Sequence, residues 1–272
     1  MKSCDTFFKP ICPFEVKTKY IEVDSTSPKN VHDSHIHEEC EIYVNLSGDV
    51  SFVVEDSIYP IVPGSIIITR PFEYHHCVYH SNKLHKHFWI LFSASGNEYL
   101  LDAFYNRRVG ENNLLMLTPD RTNELISVCT EMAENSGSEP EKYCRFFKLI
   151  SLLHNADTPS YSTSAYPDDV VDAMKYINDN LSNPLTVTEI SQAVSVSINT
   201  LERHFMRVLN VSPSAYIRKK RLSNAVKLLS EGHTVTEASE QSGFSDYSGF
   251  IALFKRTYGL TPLAYKKIRN AR

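Results

Sequence analysis

Three residues in one short run could meet a single metal ion: His35, His37 and Glu41, in the pattern H-x-H-x3-E, with Gly48 following after six intervening residues. Residues two apart project from the same face of a strand. A carboxylate four positions later, or a histidine from a neighbouring strand, could then complete the set. His75-His76, after Pro71-Phe72-Glu73-Tyr74, offers that second source. Imidazole nitrogens with one carboxylate suit Fe, Mn, Ni or Zn. The same residues could instead line a pocket for an organic ligand, or belong to a barrel that is only structural or dimerising. On residues alone all three readings stay open, and no cofactor is required. His80, His85 and His87 form a third cluster, equally at home on a surface or a strand edge.

The C-terminal third offers a different chemistry. Asn199, Thr200, Glu202, Arg203, Met206 and Arg207 lie opposite Leu201 and Phe205 at helical spacing. Arg203 is the member best suited to a base edge, because a guanidinium can hold guanine bidentately. Arg207, with Arg218, Lys219, Lys220 and Arg221 further on, suits phosphate. A second set is Asp246, Tyr247, Ser248, Lys255 and Arg256. When Phe254 is aligned with Phe205, Ala252 falls opposite Arg203, and Gly249 sits inside a helix at a cost of about 1 kcal/mol. The second set is therefore expected to give backbone contacts and weaker sequence readout.

The elements that must position these residues are duplicated. Thr186-Val-Thr-Glu189 recurs as Thr234-Val-Thr-Glu237, each a capping box in which Thr and Glu bond reciprocally at a helix start. Each unit turns, at Ser195-Val196 and at Gly243-Phe244, and reaches a serine able to cap a second helix, Ser197 or Ser245. Each closes on a residue that tolerates the left-handed C′ position and a following proline, Asn210 to Pro213 and Gly259 to Pro262. Helix, tight turn, helix is the pattern that places a second helix in the major groove. Between the units, Pro213 to Glu231 reads as one helix of roughly 27 Å, of the order of one DNA turn, about 34 Å.

Segment 185–269 resembles the AraC/XylS family of bacterial regulators. The residues that carry it are LTVTEISQAVSVSINTLERHF, IRKKRLSNAVKLL and GFSDYSGFIALFKRTYGLTPLAYKK. The resemblance covers about a third of the chain. It implies promoter binding, most often activation, contact with RNA polymerase, and an N-terminal domain for ligand sensing or dimerisation. The run His35 to Gly48 is similar to the first cupin motif, while the second is looser, with Glu73 where that pattern has Gly. Family members often keep such a barrel without metal, as a pocket for a small molecule that is often a sugar. A metal-dependent enzyme or metal sensor carrying an appended DNA-binding domain is the alternative that the His/Glu set allows.

Composition fits two soluble domains. The chain has 272 residues and a net charge of −4, enough for two cores. Residues 1–165 balance to −8 and residues 166–272 to +4, so the half that would meet a polyanion is the basic one. There is no run of about 18 apolar residues, and the start does not read as a secretory signal. The scattered cysteines, Cys4, Cys12, Cys40, Cys77, Cys129 and Cys144, form no C-x-x-C pair and read as reduced thiols of a cytoplasmic protein.

The expected architecture is α+β and multidomain. Residues 1–118 form a cupin-like β-barrel, with strands in SFVVED, SIYPIVP, GSIIITRP and HFWILF. Residues 119–155 form flanking helices that pack on the barrel or pair two copies, and 156–167 form a linker. Residues 168–272 form an all-α domain of two helix-turn-helix units joined by a long helix. The expected partners are promoter DNA, a small-molecule effector and a second copy of the chain, with no membrane and no enzymatic activity.

Overall fold

The structure, a computed structural model, describes residues 14–23, 37–81, 83–93, 96–160 and 166–270. The first half is built on strands β1 (Val16–Val23), β2 (Cys40–Ser47), β3 (Val50–Val54), β4 (Ser57–Ile61), β5 (Ile66–Thr69), β6 (His75–Tyr79), β7 (His85–Phe92) and β8 (Leu114–Leu115). A single helical turn, α1 (Asp102–Tyr105), precedes β8, and α2 (Pro119–Ala133) and α3 (Glu139–His154) follow it. The second half is helical: α4 (Asp168–Asp179), α5 (Val187–Ala193), α6 (Ile198–Leu209), α7 (Pro213–Ser230), α8 (Val235–Gln241), α9 (Tyr247–Tyr258) and α10 (Pro262–Asn270).

Among the described residues the strands make two sheets, ordered β1-β7-β2-β5-β8 and β4-β3-β6, and no ladder joins them. The expected closed barrel is therefore corrected to an open pair of antiparallel sheets. Closure fails at the edges. β8 contributes only two residues, and the chain changes sheet through turns, such as the one at Gly48-Asp49, rather than through continuous strands. At Gly48, with φ of +114°, an added Cβ would lie 2.5 Å from the ring of His85, so glycine there permits both the turn and the close approach.

Four layers result. One face of the large sheet (Ile42, Val44, Ile66, Ile68, Ile90 and Phe92) packs on Leu125, Cys129, Phe146 and Leu149 of α2 and α3. Its other face meets the small sheet, where Tyr43 and Ile67 pack on Phe52, Val54, Tyr59 and Ile61. This two-sided cover explains why β2 is buried from Cys40 to Asn45 on both faces, Glu41 and Asn45 included. The outer face of the small sheet, through Val53, Ile58 and Val78, lies against the helical half. The apolar stripes of α2 and α3 are thus used on the sheet, each fully buried Leu or Phe contributing roughly 1.5–3 kcal/mol.

The helical half follows its caps. The capping boxes Thr186/Glu189 and Thr234/Glu237 both form. Ser195 (φ +57°) and Gly243 (φ +82°) take the left-handed turn positions, and Asn210 (φ +54°) and Gly259 (φ +73°) end the second helices. One expectation is corrected here: the N-cap position of α9 is Asp246, not Ser245, and its side chain makes no capping hydrogen bond. Gly249 explains itself, because a Cβ there would lie 2.5 Å from Asp246 Oδ2, so the missing side chain makes room for that carboxylate.

Candidate nucleic-acid interface and effector pocket

α6 separates its residues cleanly. Leu201, Phe205, Val208 and Leu209 are buried, while Asn199, Glu202, Arg203, Met206 and Arg207 are exposed. Thr200 is half-buried, and its hydroxyl bonds the capping Ser197 Oγ at 2.9 Å. α9 repeats the division with Phe250 and Phe254 inside and Tyr247, Ser248, Lys255 and Arg256 outside; Asp246, its cap, is also exposed. The preceding short helices are started by their boxes. Glu189 N–H donates to Thr186 Oγ1 at 3.2 Å, and Thr186 N–H donates to Glu189 Oε2 at 2.8 Å. These bonds from the Thr186 hydroxyl and backbone hold Glu189 below its ordinary pKa, and the backbone and hydroxyl of Thr234 do the same to Glu237.

The basic run of α7 divides in two. Arg218 is exposed and Lys219 half-buried. Arg221 turns inward instead, its guanidinium donating to the carbonyls of Leu181 (3.1 Å) and Asn183 (2.7 Å). It also packs on Gly243, where a Cβ would collide with Leu181 O at 2.3 Å and Arg221 Nε at 2.9 Å. Arg221 therefore fastens the α4–α5 loop to the second turn and is not presented as a phosphate contact. Lys220 is buried at 3% exposure and faces the N-terminal half.

In the N-terminal half, His35 lies outside the described residues. His37 precedes β2 rather than lying on it, so the expected strand-face pairing is not what positions it. It is nevertheless brought to Glu41 and to His75 from β6, with one ligand-type atom of each within 4.8 Å of the others. His37 Nδ1 lies 2.9 Å from Glu39 O, and His75 Nδ1 lies 2.7 Å from Glu73 O. A carbonyl only accepts, so both rings carry their proton on Nδ1. Both then turn Nε2 toward Glu41 Oε2, at 2.9 and 3.2 Å. Phe52 stacks on His75, with ring planes 13° apart. His76 takes the opposite face of β6, edge-on to Tyr74, and stays outside the trio.

Glu41 and His76 also line a cavity of about 180 Å³ between the sheets, walled by Tyr43, Phe52, Trp89, Lys19 and His87. His85, expected on a surface or strand edge, is fully buried. Its Nδ1–H donates to Ser47 O at 2.6 Å, and Nε2 accepts from the Tyr43 hydroxyl at 2.6 Å. A larger groove, about 460 Å³, runs between β1 and α2–α3, but its rim is charged by Lys17, Glu131, Glu139 and Arg145. The inter-sheet cavity is the better ligand site, since its walls are aromatic with a few converging polar groups.

Comparison with known proteins fits this division of labour. The AraC-like ligand binding domain family matches residues 23–150, and the helix-turn-helix domain family matches residues 190–268. The chain belongs to the AraC family of transcriptional regulators. The HTH-type transcriptional activator RhaS of Mannheimia succiniciproducens is 21% identical over 92% of this chain and 94% of its own. The probable transcriptional regulator LumQ of Photobacterium leiognathi is 24% identical over 93% and 98%. ToxT of Vibrio cholerae O395 matches 94% of this chain and 99% of its own at 18% identity, and its TM-score of 0.37 is too low to bear on the fold. These relatives are regulators, and no described helix is long and apolar enough to cross a membrane.

In this AraC-family chain the two halves share a core. Val53, Ile58, Tyr74 and Val78 of the small sheet and its loop join Val170, Met174, Ile190, Phe205, Tyr216 and Ile217 of the DNA-binding half. Glu55 sits at the centre of the contact. Tyr216 Oη–H donates to Glu55 O at 2.9 Å, and the Lys220 ammonium forms an ion pair with the Glu55 carboxylate while standing 5.1 Å over the Tyr74 ring. Phe72 packs with the core of the second unit, and Tyr265 Oη–H donates to Glu38 at 3.1 Å. The charged list drawn from sequence missed Glu55. Its signal was the acidic tip of a two-residue hairpin, where Glu55 adopts φ of +54° at a place that usually calls for Asn or Gly.

Glu73 was also misjudged as only a departure from a glycine pattern. Its buried carboxylate accepts from Arg107 at 2.6 and 2.7 Å, from Gly110 N–H at 2.9 Å and from Arg70 N–H at 2.8 Å. It ties the loop that presents His75 to the loop after α1.

Proposed function

We propose that this regulator reads promoter DNA chiefly through α6, with α9 adding mainly backbone contacts, and that a small polar molecule in the inter-sheet cavity controls it. The observation that carries the reading is the exposed face of α6. Arg203 and its neighbours remain open to solvent although the N-terminal half is docked on the same bundle. On α9 the corresponding position is Ala252, which offers no hydrogen bond to a base. Asn199, Glu202, Arg203 and Arg207 are the proposed groove residues, Thr200 helps cap the helix, and Arg218 and Lys219 are the proposed phosphate partners. Tyr247, Ser248, Lys255 and Arg256, with Asp246 at the helix start, form the second footprint.

The cavity supports a ligand the size of one sugar ring: aromatic faces at Tyr43, Phe52 and Trp89, with Lys19, Glu41 and His87 to meet hydroxyls. The shared core supports the link between cavity and DNA, since the small sheet has the cavity on one face and the helical half on the other. Activation, contact with RNA polymerase and homodimerisation belong to the same reading, and activation is carried over from relatives such as RhaS. The test is selection of bound duplexes from a randomised library by the full chain, with and without a panel of monosaccharides. A selected motif that Arg203→Ala relaxes, and an affinity that one sugar shifts, are expected. Binding without sequence preference would overturn the DNA reading, and indifference to every sugar would overturn the choice of ligand.

A further inference from the structure

We infer that Met206 reads a thymine through its 5-methyl group, at the base pair next to the one met by Arg203. The inference rests on the proposed reading of promoter DNA through α6 and adds to it the identity of one base.

Met206 is the outward residue of α6 that neither charge nor hydrogen bonding accounts for. It is 49% exposed and belongs to neither apolar core of the helical half. Its polar neighbours at the flanks of the helix are engaged within the bundle: His204 Nδ1 lies 2.8 Å from Asp169 Oδ2 of α4, and Thr200 bonds Ser197. Nor does the fold ask for an apolar residue here. With Phe254 aligned on Phe205, the same position of α9 holds Lys255, also exposed, and both helices run for 12 residues. In the free protein the Met206 side chain keeps apolar surface in water, and a partner that covers it gains the burial.

Its place on the helix says which partner atom it meets. At 3.6 residues per turn, Arg203 stands about 160° from both Leu201 and Phe205, the buried anchors, and so marks the outward axis. Asn199 lies about 40° and Met206 about 60° from Arg203. Ile198, the other exposed apolar residue of α6, is about 140° away, at the helix start and toward the buried side. Asn199, Arg203 and Met206 therefore project together, at spacings of four and three. Residues three to four apart on a helix in the major groove meet successive bases. Met206 then faces the base pair beside that of Arg203, on the side away from Asn199.

The chemistry selects the base. Thymine alone carries a methyl group on its major-groove edge. Methionine is unbranched, with a polarisable thioether and three rotatable bonds, and shapes itself to a small apolar target. Over adenine, guanine or cytosine the same side chain would cover N6, O6 or N4 and offer no partner, which costs the desolvation of that group. Contact with the methyl and avoidance of the polar edges thus favour the same base.

The experiment uses the duplex selected by the full chain, remade with each thymine in turn replaced by deoxyuridine. This removes the methyl and no hydrogen bond. Affinity is measured for wild type and for Met206→Ala and Met206→Leu with wild-type circular dichroism. One thymine, beside the base pair whose identity Arg203→Ala relaxes, is expected to cost wild type about fourfold on conversion, the burial of one methyl group at about 0.8 kcal/mol. Met206→Ala should bind the thymine and deoxyuridine duplexes alike, and Met206→Leu should still tell them apart. At the same position, 5-methylcytosine should be preferred to cytosine by wild type and not by Met206→Ala. A selected motif in which no deoxyuridine weakens wild-type binding overturns this inference and leaves the proposed function standing. A methyl effect that survives in folded Met206→Ala belongs to another side chain and overturns it as well. Binding without sequence preference overturns both readings together.

Discussion

Replacing Glu55 by Gln preserves shape at the domain contact and removes one charge. It leaves the Lys220 ammonium, 4% exposed, without its counter-ion. Unit charges about 3 Å apart attract by roughly 5.5 kcal/mol at an effective dielectric near 20. Desolvation offsets part of this, and losing one partner of a buried pair costs about 3–5 kcal/mol. At the lower figure, and with about 2–4 °C per kcal/mol for a chain of this size, the melting temperature should fall by roughly 6–12 °C. Lys220→Met should cost less, because Glu55 is 14% exposed and still accepts from Tyr74 N–H at 2.8 Å. The double variant should recover most of the Glu55→Gln loss, because a neutral amide that still accepts from Tyr74 N–H beside an apolar side chain leaves no unpaired buried charge. Calorimetric melts of all four proteins close the cycle. Additive single effects, with no recovery in the double variant, would show that the pair does not hold the halves together.

Other outcomes follow from the same geometry. Arg203→Ala should cost about 1–3 kcal/mol of discrimination at one base pair, more than Tyr247→Ala does in the same library selection; the opposite ranking would move the main readout to α9. Arg221→Ala should lose about 2 kcal/mol of stability through two orphaned carbonyls, with the salt slope of duplex binding unchanged. A slope reduced by about one would make Arg221 a phosphate contact after all. Glu73→Gln should destabilise by about 3–5 kcal/mol, because Arg107 stays buried, and urea titration reads that loss directly. The capping carboxylates Glu189 and Glu237 lie below their ordinary value of 4.5 when folded, so their contribution is complete above that pH and fades as pH falls through the folded values. Circular dichroism of Glu189→Gln/Glu237→Gln between pH 6 and pH 3 should show less helix loss than wild type across that window.

How far the sequence carried depended on whether the cause was local. Caps, left-handed turn residues and helical stripes act within a few residues, and α4 to α10 fell where Thr186, Asn210, Gly243 and Gly259 indicated. The start of α9 fell at Asp246, whose carboxylate makes no capping hydrogen bond but occupies the space that Gly249 leaves, a packing effect across three residues that a Ser-first preference does not weigh. Strand content was legible, but sheet closure was not, since it depends on which edges meet far apart in sequence. The trio assembled by a route that periodicity did not supply, with His37 ahead of the strand and His75 of β6 reaching Glu41, while its neighbour His76 lines the inter-sheet cavity. Arg221 and Lys220 looked like phosphate ligands by charge alone. Their actual partners, Asn183 and Glu55, lie 38 and 165 residues away.

The long helix α7 belongs to two cores at once. Tyr216 and Ile217 near its start lie in the first, and Leu222, Val226 and Leu229 toward its end lie in the second. The angular phase between the two reading heads is therefore written in a residue count rather than in a flexible joint. Each residue added between Ile217 and Leu222 would advance the second head by about 1.5 Å and swing it by about 100°, whereas each base pair of DNA turns by only about 35°. No single insertion can track a one-base-pair change in half-site separation. Descendants of this protein can drift freely in which bases they prefer, but the gap between half-sites is inherited almost as rigidly as the fold.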